Sequence, residues 1–144
     1  MLALTLALAL TTQSSGSPAA TRAPAAPPSP GVCRREGEAL VGRLPVDADA
    51  LPVPPRRRIQ TMPDFPDLPT GASAQGNWVG ELLVGADGTV RRVWVLRETQ
   101  LTPAVPAFNE AIVSAVERWE YEPYIVDGLV PPFCLTVTIT LERR

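Results

Sequence analysis

The chain has 144 residues, with 13 basic and 15 acidic side chains, a formal charge of -2 and no histidine. So even a balance, with no long run of one sign, gives no reason to expect a nucleic acid or an anionic membrane as partner. Without histidine there is no Ser-His or Cys-His nucleophile and no ordinary neutral-pH acid or base, and two separated cysteines make no zinc framework. The chain is therefore expected to be a non-enzyme without cofactor or metal. Twelve of its 17 prolines precede residue 71, whereas regular apolar patterns begin after residue 76, so a single small domain is expected in the C-terminal half.

At the N-terminus, "MLALTLALAL" is a short apolar run followed by the small, polar "TTQSSGSPAA". This reads as an export signal over residues 1–20, with cleavage near Ser17 to Ala20. The run is shorter than the roughly 20 apolar residues that cross a bilayer, so no integral membrane span is expected. No Lys or Arg precedes it, which leaves open a start further upstream. Cys33 follows Val32 and lies far from the apolar run, unlike a lipid-anchor cysteine. In an oxidising compartment Cys33 and Cys134 would be able to form a disulfide; two free thiols are the alternative.

Residues 21–60 read as a Pro-rich disordered or extended segment, with at most one or two short extended pieces after residue 34. The basic triplet Arg56 to Arg58 reads as a solvated linker feature. Pro63, Pro66 and Pro69 then leave room for at most a short, poor helix between Asp67 and Gln75.

"NWVGELLVGADGTVRRVWVLRE" consists of two alternating runs around Asp87-Gly88, a strong hairpin signal. Trp78, Leu82 and Val84 share one face with Gly80. The return strand steps from Val90 to Val93 and Val95, which places a bulge at Arg91 and Arg92. Val79, Leu83, Trp94 and Leu96 point to the other face and require a cover, either the N-terminal segment or a second copy of the chain. Phe108, Ala111, Ile112, Ala115, Val116 and Trp119 form one helical stripe, with Asn109, Glu110, Ser114 and Glu117 opposite. Pro106 suits the first turn of that helix, and Pro123 prevents it from running far past Trp119. In "FCLTVTITL", Phe133, Leu135, Val137, Ile139 and Leu141 alternate with Cys134, Thr136, Thr138 and Thr140, as in a strand buried on one face.

The fold class expected is α+β, a three-stranded antiparallel sheet built as hairpin, helix, strand, with one or two helices on one face. The helix must cross the apolar face of the hairpin so that the last strand pairs at the other edge. "WEYEP" is then the corner after the helix, and "VDGLVPP" aims the chain back as a strand.

"GNWVGELLVGADGTVRRVWVL", "FNEAIVSAVERWEYEPYIVDGLVPP" and "LTVTITL" together resemble the C-terminal domain of the TonB family, periplasmic energy transducers of Gram-negative bacteria. Gly76, Asp87, Gly88, Trp119, Tyr121, Pro123, Asp127 and Gly128 match the family's order, and the resembling domain is placed at residues 61–144. Phe65-Pro66 stands where the family usually has Tyr-Pro, and Pro69 and Gly71 weaken the helix that usually follows. The family's full-length members also carry a membrane helix with a Ser and a His, and this chain has no His.

The resemblance implies a periplasmic or secreted protein whose last strand accepts an extended segment of a partner by strand addition. The implied contact residues are Phe65, Pro66, Phe133, Leu135, Thr136, Val137, Thr138, Ile139 and Thr140. The implied partner is an outer-membrane receptor or other envelope protein, or a second copy in a homodimer; intramolecular capping of the edge is the alternative. Two further alternatives are a complete TonB energiser whose anchor lies upstream, and an envelope structural module that binds peptidoglycan. Glu117, Glu120 and Glu122 read as a solvated rim, and Trp78 and Trp94 as sheet packing rather than sugar platforms.

Overall fold

The computed structural model describes residues 26–141. The export signal expected over residues 1–20 lies outside the described residues. The fold is α+β, with two α-helices and several antiparallel strand pairs. Its centre is the hairpin of Trp78–Val84 (β4) and Val90–Arg97 (β5), with Phe133–Ile139 (β8) antiparallel to β4 on the other side. Val46–Asp47 (β1) adds a short parallel fourth strand outside β8, giving the order β1-β8-β4-β5 instead of the three strands expected.

Local chemistry sets the turns. The hairpin closes with Gly88 N–H donating to the Gly85 carbonyl and Gly85 N–H donating to the Thr89 carbonyl, and Gly88 has φ +84°. A Cβ on Gly88 would sit 1.9 Å from the Tyr121 carbonyl oxygen, so only glycine allows this approach. Val84 pairs with Val90 but Leu83 with Arg92, so Arg91 is the extra residue of a bulge. Asp127 and Gly128 both have positive φ, and Val126 bridges Leu129 around them, which returns the chain toward β8.

Helix Pro106–Val116 (α2) starts on its proline and buries Phe108, Ile112, Ala115 and Val116 against Trp78, Leu82, Val84 and Phe133. Asn109, expected on the exposed side, is buried. Its amide donates to the Thr99 carbonyl (2.9 Å) and accepts from the Thr99 N–H (3.1 Å), so burial leaves neither group unpaired.

The segment expected to be disordered or extended, residues 21–60, instead contributes helix Val32–Val41 (α1) to the opposite face of the sheet. Val32 and Cys33 pack there with Leu83, Trp94 and Cys134, beside Val41 and Leu96. Helices thus cover both faces, not one, because the second apolar face had to be buried and the N-terminal segment does it. The Glu81 carboxylate accepts from Gly31 N–H and from Cys33 N–H (2.8 Å), and Trp94 Nε1 donates to Glu36 (2.9 Å). Cys33 and Cys134 form a disulfide that closes a sequence separation of 101.

Two short antiparallel pairs complete the fold. Arg57–Ile59 (β2) pairs with Glu120–Tyr121 (β7), and Arg58 forms an ion pair with Glu120, so both the basic triplet and the expected corner hold strand residues. Ser73–Gln75 (β3) pairs with Gln100–Thr102 (β6), where a short, poor helix was the most the sequence allowed. Pro69, two left-handed glycines at Gly71 and Gly76, and an available partner strand together favour extension.

Candidate partner-binding edge

Strand β8 presents one long side to β4, and its other side is divided. Val46 N–H donates to the Pro132 carbonyl (3.0 Å), and β1 pairs with Phe133 and Cys134. Just beyond, the 3-10 turn Ala48–Ala50 brings in Asp49, whose carboxylate accepts from Thr136 N–H (3.0 and 3.2 Å) and from the Thr136 hydroxyl (2.6 Å). These bonds show that even-numbered residues of β8 turn their backbone groups away from β4. By strand alternation Thr138 does the same. Among the described residues, no strand pairs with β8 on this side beyond Cys134.

Next to the uncovered half lies a groove of about 260 Å³. Val137 to Leu141 form one wall; Met62, Phe65 and Trp119 supply apolar surface opposite, and among the described residues Arg57 is the only charged one in the lining. Local contacts fix this second wall. Trp119 Nε1 donates to the Thr61 carbonyl (2.8 Å), holding the segment that carries Met62. The Arg57 guanidinium lies 4.1 Å from the centre of the Trp119 ring, and Phe65 stacks on Phe108 with ring centres 4.5 Å apart. Met62 is 71% exposed, so its side chain contributes apolar surface that the fold itself does not use.

The structure brings together only part of the residue set derived from the sequence. Phe65, Val137, Thr138, Ile139 and Thr140 line the groove. Pro66 lies next to Phe65 in the chain but outside the lining. Phe133 is fully buried, paired with Val84 and Val46 and edge-on to Tyr121, so it is a core residue and not a partner contact. Leu135 is half-buried toward α2, and Thr136 is occupied by Asp49. Cys33 and Cys134 tie α1 to the closed half. Sequence reasoning missed Arg57, Met62, Trp119 and Asp49. A basic residue paired with a downstream tryptophan, and an acidic residue in a short apolar stretch, carry no signal of this placement.

The arrangement is suited to holding an extended chain. Thr138 provides a backbone donor and acceptor, the groove accepts apolar side chains, and Arg57 favours an acidic neighbour. Among the described residues no group of His, Cys, Asp or Glu is placed to hold a metal ion, and no helix is long and apolar enough to cross a membrane. No family model matches the chain, and no curated protein matches it in sequence.

Proposed function

We propose that the protein is a TonB-C-like interaction module of a bacterial envelope, which takes an extended segment of another envelope protein as an added strand on β8. The observation that carries this reading is the backbone of Thr138, which no other described strand pairs on its outer side, beside the Met62, Phe65 and Trp119 groove. The chain order hairpin, α2, β8, with β8 returning to the far edge of the hairpin, supports the TonB-like reading of the fold. A disulfide between Cys33 and Cys134 suits the periplasm or another oxidising compartment. The bound segment is short, because Asp49 ends the available edge at Thr136. It carries an apolar side chain for the groove and a carboxylate near Arg57.

The test is photo-crosslinking in the native cell, with the reactive side chain placed at Thr140 and, separately, at Thr136. The reading predicts a crosslink from Thr140 to one short segment of a second protein, mapped by peptide mass spectrometry, and none from Thr136. Crosslinks from Thr136 alone, or none from either position, would overturn it. A crosslink between two copies of this chain would make the partner a second subunit.

A further inference from the structure

We propose that a second cleft, between the end of α1 and the start of β5, binds an organic phosphate. The cleft is open to solvent and has a volume of about 540 Å³, within the range of ~300–1,000 Å³ usual for small-molecule sites. Among the described residues Arg43, Arg91 and Arg92 line it, and no acidic residue does. Adjacent residues on a regular strand face opposite sides. The bulge at Arg91 removes that alternation, so Arg91 and Arg92 both reach the same cleft.

Each guanidinium is positioned by one contact of its own. Arg91 pairs with Asp87 (3.0 Å), Arg92 lies 5.4 Å from the centre of the Trp94 ring, and Arg43 donates to the Val130 carbonyl (3.3 Å). A guanidinium has five N–H donors, so each keeps donors for a ligand, and its fork matches the spacing of phosphate oxygens. The remaining wall is apolar, formed by Leu40, Val41 and Pro132, with Leu40 49% exposed. A bare phosphate ion would leave most of this volume empty. The ligand class that fits both walls is a phosphate ester whose organic part lies on Leu40 and Val41. None of these residues lines the groove beside β8, so the two proposals stand or fall separately.

The experiment titrates the full chain, disulfide intact, with phenyl phosphate by calorimetry, and with phosphatidylcholine vesicles with and without phosphatidic acid by co-sedimentation. The expected result is binding of phenyl phosphate that weakens at least tenfold in Arg92→Gln and in Arg43→Gln, with unchanged near-ultraviolet circular dichroism from the tryptophans. Asp87→Asn frees Arg91 and raises affinity several-fold. Binding to phosphatidic acid vesicles without binding of phenyl phosphate supports the site and identifies a lipid headgroup as its source. Binding of neither probe, or binding that both arginine variants leave unchanged, overturns the proposal.

Discussion

The two halves of β8 have the same alternation and similar residues, yet the chain treats them differently. From Phe133 to Thr136 the outer edge is closed by β1 and the Asp49 carboxylate, anchored through α1 and the Cys33–Cys134 disulfide. From Val137 onward the edge faces a groove with apolar surface and, among the described residues, one cation, Arg57. An exposed edge invites pairing with any available strand, and proteins usually block it. Among the described residues the block stops partway, which leaves only a short stretch of the edge open.

The largest expected effect comes from removing the anchor of the closed half. A Cys33→Ser/Cys134→Ser variant should lose about 4 to 5 kcal/mol by loop-closure entropy, read as a lower denaturant midpoint. The α1 amides should also exchange faster; an unchanged midpoint would show that the closed half holds without its staple. Next is Glu81→Ala, which leaves the Gly31 and Cys33 N–H groups without their carboxylate and should cost about 2 kcal/mol. Its mark is faster exchange confined to α1, with β4–β5 amides unchanged, and uniform acceleration would contradict it.

Asp49→Ala should change stability by only about 1 kcal/mol, because Thr136 is exposed. It should convert closed edge to open edge. Exchange at Thr136 N–H should rise, and a partner crosslink should appear at position 136; continued protection there would mean that Asp49 is not the stop. The smallest effect concerns Tyr121, which packs edge-on against Phe133 at 5.9 Å. Burial raises its phenol above the ordinary value, and Arg57 offsets part of the rise. The folded state therefore holds this proton more tightly than the unfolded chain does. Its contribution is complete below the ordinary phenol pKa near 10 and is lost as pH rises through the higher folded value. Denaturant midpoints from pH 8 to 11 should fall less steeply in Tyr121→Phe; identical slopes would contradict the assignment.

The sequence made legible what is encoded within neighbouring residues. The Asp87-Gly88 turn, the bulge at Arg91, the stripe of α2 and the two-faced pattern of β8 all follow from local spacing. The fate of residues 32–59 does not, because their partners are remote. Gly42 closes α1 with a left-handed C-cap that a sequence can display, but the carboxylate over its N-terminus is Glu81, 50 residues from Gly31. Val79, Leu83, Trp94 and Leu96 did announce that something must cover the second face, without saying what. The groove was legible only on its β8 wall, since Arg57, Met62 and Trp119 meet through tertiary contacts. The basic cleft was hidden by the near-neutral total charge, which averages out three arginines gathered in one place.

The most direct test of strand addition changes one backbone group and leaves the sheet in place. Thr138→Pro removes the outward N–H without touching a bond to β4, and Thr138→Val keeps that N–H while removing the hydroxyl. With the photo-reactive group at Thr140, pairing through the β8 edge requires that the crosslink to the partner segment is lost in Thr138→Pro and retained in Thr138→Val, with both variants folded. A crosslink of undiminished yield in folded Thr138→Pro would contradict pairing through the β8 edge.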